Sequence, residues 1–95
     1  MSWPLDLAAA RLDFARNDLK RAAENLQTPL AEMTTGGFAE YQLETRLLLI
    51  EIELKAVGTR GARARLDQLA KEAEQKGFGR LALKARQSLI DIPQN

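Results

Sequence analysis

Residues 38–58 read FAEYQLETRLLLIEIELKAVG, and this stretch decides the fold of the 95-residue chain. Its apolar residues recur at helical spacing along two stripes. The first stripe is Leu43, Leu47, Ile50, Leu54 and Val57, and the second is Tyr41, Leu48, Ile52 and Ala56. The alternation in residues 50–54 would suit a strand, but the surrounding segment keeps a period of about 3.6 without a turn signal. We therefore predict a helix from Phe38 to about Val57 that contacts neighbours on two sides.

The chain also repeats itself when it is shifted by forty positions, and no gap is needed. Ten residues recur unchanged forty positions later: Ala22, Leu26, Glu32, Gly37, Phe38, Leu43, Arg46, Leu49, Ile50 and Ile52. Small and apolar residues that recur at such a period inside helical patterns are typical of stacked helix-turn-helix repeats. A unit of this kind buries its apolar face by packing on a neighbour, and the stack leaves an extended binding surface.

The remaining helices follow from the same spacing, with turn and cap residues between them. They are predicted over Leu5–Arg16, from Leu19 to the Thr34–Gly37 turn, from Ala62 to the helix-ending Gly77, and over about Arg80–Ile90 before Pro93. Asn17-Asp18 is predicted to form a turn and a helix cap, and Gly58–Gly61 a second turn. Pro29 removes a backbone donor inside the second helix, so we expect a kink or short break near Gln27–Thr28.

These elements predict one all-α domain over residues 1–95. A first antiparallel hairpin covers about residues 5–37, a second covers about residues 38–77, and a C-terminal helix over about residues 79–91 caps the stack. The Gly37-Phe38 and Gly77-Phe78 pairs are predicted to be structural, because glycine frees each turn and each ring would fill the junction between hairpins.

The amino-acid composition excludes several classes of function. The chain contains no histidine and no cysteine, so the commonest acid–base and nucleophilic groups and the zinc-thiolate ligands are missing. The carboxylate pairs Glu40 with Glu44 and Glu51 with Glu53 match no metal-binding spacing. We predict neither enzymatic activity nor a metal or cofactor. No apolar run approaches the roughly 20 residues of a membrane span, and the N-terminus lacks a signal-peptide pattern. A domain this small without disulfides favours a cytoplasmic protein.

Three segments carry a resemblance to a known family: AAARLDFARNDLKRAAENL (residues 8–26), ETRLLLIEIELKAVG (residues 44–58) and ARARLDQLAKEAEQKGFGRLALKAR (residues 62–86). The chain resembles tetratricopeptide-like (TPR-like) repeats of the degenerate type found in bacterial regulatory and signalling proteins. Its period is longer than the about 34 residues of that family, and Gly-Phe replaces the closing proline of each repeat. The resemblance implies a right-handed α–α superhelix and a non-catalytic protein–protein interaction module, as a fragment or small scaffold of a regulatory system.

The resemblance also suggests a contact surface on the outward face of the third and fifth helices, with Gln42, Arg46, Glu53 and Arg86 as partner-binding residues. Arginines in such a groove hold carboxylates bidentately. The alternative is that each arginine pairs with the glutamate of the preceding helix, Arg46 with Glu32 and Arg86 with Glu72, and ties the hairpins together. Because arginine and glutamate recur together, we favour this alternative.

Two other interactions remain open. An apolar surface on the first hairpin, with Trp3, Leu5, Leu7 and Leu12, would favour homodimerisation. The C-terminal half is basic, which would suit a nucleic-acid-associated regulatory fragment. This last reading is the less favoured, because the basic residues surround the fourth helix, alternate with acidic ones and are interleaved with no aromatic residue except Phe78.

Overall fold

The computed structural model describes residues 3–92 of the chain. These residues form five α-helices and contain no β-strand. The helices are α1 (Trp3–Ala15), α2 (Leu19–Gly36), α3 (Ala39–Val57), α4 (Ala62–Gln75) and α5 (Gly79–Asp91). The predicted all-α class is confirmed, and so is the choice of helix over strand for residues 50–54. Pro93, which was predicted to end the last helix, lies outside the described residues.

Helix α3 is the centre of the domain, because it packs against each of the other four helices. α1 and α5 flank α3 on one side, whereas α2 and α4 pack against α3 without approaching each other within residues 3–92. The shortest extent of the domain is 18 Å, which leaves room for two layers of helices at the usual interaxial distance of about 8–10 Å. α1, α3 and α5 form one layer, and α2 and α4 form the other.

The hydrophobic core has two parts, which lie on opposite sides of α3. One stripe of α3 supplies Leu43, Leu47 and Ile50 to a cluster with α4 and α5. The other stripe supplies Leu48 and Ile52 to a cluster with α1 and α2. The predicted two-sided contact of this helix is therefore confirmed. Val57, the last residue of the first stripe, is exposed to solvent at the C-terminus of α3.

The loop between α1 and α2 forms as its sequence predicts. Asn17 adopts a left-handed backbone with φ 64°, and the Asp18 carboxylate accepts a hydrogen bond from the Arg21 amide at 3.4 Å. Asparagine tolerates this conformation better than most side chains, and aspartate satisfies one of the free amides that begin a helix. α1 and α2 run antiparallel, since Asn25 donates to Asp13 and Trp3 donates to Glu32.

The backbones of the two Gly-Phe turns match. Gly37 and Gly77 have φ values of 75° and 83°, a region that only glycine adopts without strain. The amides of Phe38 and Phe78 each donate to the carbonyl five residues earlier, at 2.9 Å and 2.8 Å. Both phenylalanines then stand immediately before the next helix with nearly the same φ and ψ. The forty-residue self-similarity thus extends to the geometry of the turn.

The side chains of these turns do not match, and the prediction that both rings fill a junction is wrong for Phe38. Phe78 packs against the core, but the Phe38 ring is half exposed and lies against Trp3. The surroundings differ at the position that contacts the ring, because Trp3 stands forty positions before the buried Leu43.

The short break predicted near Gln27–Thr28 is also wrong, since α2 continues through Pro29 to Gly36, whereas the alternative of a kink stays a prediction. The proline ring lies buried on the inner face of the helix. The carbonyl that loses its amide partner belongs to Asn25, which is exposed to water. Solvation of this carbonyl and burial of the ring offset the lost hydrogen bond, so the helix is not interrupted.

Candidate partner-binding grooves

Two opposite apolar stripes on α3 leave two polar faces between them. Because a helix turns once every 3.6 residues, positions i, i+4 and i+11 share a face. One polar face carries Glu40, Glu44 and Glu51, and the other carries Gln42, Arg46 and Glu53. The two sets are offset by two residues and so lie on opposite sides of the helix.

The first polar face forms the floor of a groove between α1 and α5, which we call the front groove. Its middle part has a volume of about 280 Å³ and is lined by Arg11 of α1, by Glu44 and Glu51 of α3, and by Lys84 and Ser88 of α5. Glu44 and Lys84 continue it towards the start of α5. Side chains from three helices therefore converge on one concave surface.

The far end of the front groove is more apolar. Phe14, Leu54 and Ile92 line a cleft of about 430 Å³ there, which shares Glu51 and Ser88 with the middle part. The Lys55 ammonium lies 5.0 Å from the centre of the Phe14 ring, within the range of a cation–π contact. An extended or helical segment lying along α3 would meet charged groups first and an apolar pocket next.

Glu44 and Glu51 differ in their electrostatic surroundings. The Glu44 carboxylate forms an ion pair of 2.9 Å with Arg11. Glu51 forms no ion pair with any residue in the range 3–92. Burial raises the pKa of Glu51, and the positive charges of Arg11 and Lys84 only partly offset that rise. The front groove thus contains a carboxylate whose charge is incompletely compensated.

The second polar face of α3 lies in a wider cleft between α2 and α4, which we call the back cleft. Leu19 and Ala23 of α2, Leu49 and Glu53 of α3, and Arg65 of α4 line it. Arg65 pairs with Glu53 across the cleft. The back cleft is therefore bridged by charges of this chain itself.

The residues predicted from the sequence as a partner-binding surface are placed on this second face or at its edge. Arg46 pairs with Glu72 of α4 at 2.6 Å. Arg86 pairs with Glu74 of α4 at 2.7 Å and approaches Asp67. Gln42 lies half-buried on the same face of α3. Arg46 therefore connects α3 to α4 within the second hairpin, whereas Arg86 connects α5 to that hairpin.

The pairing predicted for these arginines is wrong in its partners. Glu32 does not contact Arg46 but accepts a hydrogen bond from the Trp3 indole at 3.2 Å. Glu72 pairs with Arg46 rather than Arg86. Each glutamate thus contacts the helix that precedes its own, whereas the prediction had paired it with the helix that follows. Self-similarity thus indicated that these charged residues contact neighbouring helices, but it did not identify their partners.

The apolar surface predicted on α1 is smaller than expected. Leu7 is buried in the core, whereas Leu5 and Leu12 are exposed. Trp3 makes edge contacts with Phe38 at 4.7 Å and with Tyr41 at 5.5 Å between ring centres. This partly exposed aromatic cluster could not be predicted from periodicity, because its members come from two helices with no common spacing.

Most of the paired bases lie in the C-terminal half. Arg65, Lys71 and Arg86 each have a carboxylate of this chain within 4.0 Å. Pairing of this kind lowers the positive potential that a nucleic-acid surface requires. In residues 3–92 no three acidic side chains converge as metal ligands would, and no helix of that range is long and apolar enough to cross a membrane.

Comparison of the chain with protein-family models, with curated proteins and with solved structures found no match.

Proposed function

We propose that this chain is a non-catalytic protein–protein interaction module of TPR-like, right-handed superhelical architecture, and that its front groove holds a segment of a partner protein. Two features support the architecture: the first helices α1, α3 and α5 lie side by side, and the turns at Gly37 and Gly77 repeat after forty residues. In this arrangement the front groove is the inner surface of the stack.

The observation that carries the proposal is the half-buried Glu51 on the floor of the front groove. Its raised pKa reflects a carboxylate that has lost part of its hydration without gaining an ion pair within the described chain. A lysine or arginine of a partner would provide the missing charge-assisted hydrogen bond. The pocket of Phe14, Leu54 and Ile92 would receive an apolar side chain of the same segment.

Site-specific photo-crosslinking tests this proposal. A photoreactive amino acid is placed at Ser88, inside the front groove, and separately at the exposed Arg63 on α4 as the matched control. We expect one partner to be captured from position 88 and not from position 63. The partner segment is then synthesised, and its affinity is measured by calorimetry against the wild-type chain and against Glu51→Lys.

Glu51→Lys should weaken that binding at least tenfold, because it places a positive charge where the partner's base is proposed to sit. The affinity should also fall as the pH drops through the pKa of Glu51, since the protonated acid no longer attracts a cation. Equal capture from positions 88 and 63, or an affinity that does not respond to Glu51→Lys, would show that the front groove is not the binding site.

Self-association is a second candidate, and the exposure of Leu5 and Leu12 on α1 favours it. These leucines are seven residues apart and so lie on one face of the helix. We propose that two copies would pack these faces together. Light scattering across the micromolar range tests it, since dimers should form in the wild type and disappear with Leu5→Asp, whereas a monomer throughout would exclude it.

A further inference from the structure

The forty-residue register relates three helices, α1, α3 and α5, and so relates the surfaces that they present. On α1 and α3 one face packs against the helix that follows in the chain. That face consists of Trp3, Leu7 and Ala10 on α1, and of Leu43, Leu47 and Ile50 on α3. On α1, Leu7 and Ala10 lie in the core with α2, and the Trp3 indole donates a hydrogen bond to α2. On α3, all three residues lie in the core with α4.

The same face of α5 is bare. It carries Leu83, Gln87 and Ile90, forty positions after the α3 residues. Leu83 is 72% exposed and Ile90 is 75% exposed, whereas Leu43 and Ile50 are 1% and 2% exposed. No helix within residues 3–92 covers this face. We call it the α5 face.

The rest of α5 is firmly packed. Leu81, Ala82 and Ala85 are buried in the core cluster that α3 and α4 share. One side of α5 therefore packs in the core. Its other side carries Leu83 and Ile90, which are equivalent to the residues of α3 that pack against α4. A terminal helix that only capped the stack would present polar residues at these positions.

The charged residues share the register in sequence, although their pairing differs. Arg46 of α3 pairs with Glu72 of α4, the helix that covers it. Arg86 stands at the corresponding position of α5 but pairs with Glu74 of α4, the preceding helix, at 2.7 Å, and its side chain is 41% exposed. A helix lying on the α5 face as α4 lies on α3 would place its own acidic residue where it shares Arg86 with Glu74. The leucine, the arginine and the isoleucine that meet α4 on α3 are thus all present on α5.

We propose that the α5 face is a docking surface for an amphipathic helix of another polypeptide that has the pattern of α4. The pattern is an alanine, a leucine four residues later and a glutamate ten residues after the alanine, as in Ala62, Leu66 and Glu72. Within this chain α2 has the same pattern, and it covers α1. The occupant is not supplied by a folded second copy, because the alanine and leucine of both α2 and α4 are fully buried in their own domain.

A peptide of the α4 segment, residues 59–77 with blocked ends, is the probe. Fluorescence anisotropy measures its binding to the full chain, and circular dichroism follows its folding, since so short a helix is marginal in water on its own. We expect saturable binding accompanied by a gain of helix. Leu83→Asp should weaken it at least tenfold, whereas Val57→Asp should leave it unchanged. Val57 is 73% exposed but lies at the end of α3, in the back cleft, so it is a matched control.

A charge exchange tests the register. Arg86→Glu should weaken binding of the wild-type peptide, and a peptide with Glu72→Arg should restore it. Because Arg86→Glu also removes the ion pair with Glu74, a thermal melt of the variant is recorded alongside, and restored binding by the Glu72→Arg peptide separates a lost contact from a loss of folding. Three results would overturn the proposal: no saturable binding, equal effects of Leu83→Asp and Val57→Asp, or self-association of the chain alone that Leu83→Asp abolishes. A peptide that merely exchanged with the chain's own α4 would not respond to Leu83→Asp and would give the second of these results.

Discussion

Leu43 and Leu83 offer the sharpest test of the structure, because they are the same residue at equivalent positions in different surroundings. They are separated by forty positions, and each lies near the start of its helix. Leu43 is 1% exposed in the core between α3, α4 and α5, whereas Leu83 is 72% exposed on the α5 face. Replacing each by alanine removes the same atoms from a buried site and from a solvated one.

The expected magnitudes differ severalfold. Leu43→Ala removes three buried carbon atoms, each worth about 0.8 kcal/mol of transfer free energy. Including the cavity that remains, a fully buried leucine of this kind contributes about 2–5 kcal/mol relative to alanine. Leu83→Ala removes atoms that already contact water, so its effect should lie within about 0.5 kcal/mol. For a domain with a total stability of about 5–15 kcal/mol, only the first change is large.

Urea denaturation and thermal melting of both variants measure the difference. A loss of about 3 kcal/mol should lower the Tm of a domain of this size by roughly 12–24 °C. Leu83→Ala should leave both the Tm and the urea midpoint nearly unchanged. The slope of the urea transition should be the same in all three proteins, since the surface exposed on unfolding changes little.

Equal losses in the two variants would show that Leu83 is as enclosed as Leu43, contrary to the exposure of the α5 face. Repeating the melts over a range of protein concentrations identifies the cause. A Tm that rises with concentration in the wild type and not in Leu83→Ala would show that a second copy covers the α5 face. A concentration-independent loss would place Leu83 inside the monomer and contradict the helix arrangement.

Four further predictions concern charge and backbone geometry. Burial raises the pKa of Glu51 above its ordinary value of 4.5. Below pH 4.5 the side chain is protonated in both the folded and the unfolded state, and its burial costs no charge desolvation. As the pH rises through the raised pKa, the free energy of unfolding falls, because the unfolded state ionises more easily. Glu51→Gln should therefore raise the Tm at pH 7, with the gain disappearing by pH 4. The Arg86 hydrogen bond lowers the pKa of Glu74, so Glu74→Gln should do the opposite, lowering the Tm at pH 7 and losing that effect in acid. Gly77→Ala should lower the free energy of unfolding by about 1–2 kcal/mol, because φ is 83° at this position. Gly79 lies in open space at the start of α5, so Gly79→Ala should raise the free energy of unfolding by about 0.5–1 kcal/mol. Arg46→Ala should lower the stability by about 0.5–1 kcal/mol, as expected for a partly exposed ion pair, without changing the affinity for a partner bound in the front groove.

The helices and their loops were predictable from the sequence because they depend on local rules. The spacing of apolar residues along α3 fixed both the helix and its two-sided packing, and the cap at Asp18 and the glycine at Gly77 marked helix ends. Continuity through Pro29 was not predictable in this way. It depends on whether the ring is buried and whether the carbonyl of Asn25 reaches water, and both are properties of the folded surroundings.

The candidate site was predicted less well. The sequence identified Arg46 and Glu72 as charged residues that recur and pair with a neighbouring helix, but periodicity does not say which of two adjacent helices a side chain reaches. In the sequence, Glu51 stands out only as half of a carboxylate pair with Glu53. Its importance appears when α1 and α5 enclose it, and no local pattern records that enclosure.

The packing of α3 explains why recognition is assigned to one of its polar faces rather than the other. Both apolar stripes are used by the core, so only Glu40, Glu44 and Glu51 on one side and Gln42, Arg46 and Glu53 on the other remain for other purposes. On the second side Arg46 and Glu53 are already paired with α4, and a partner would have to break those contacts to gain new ones. On the first side Glu51 is desolvated and unpaired within the described chain, so a partner's cation gains an interaction without displacing one. The proposed partner would therefore gain binding energy in the front groove, and substitutions there would not loosen the core.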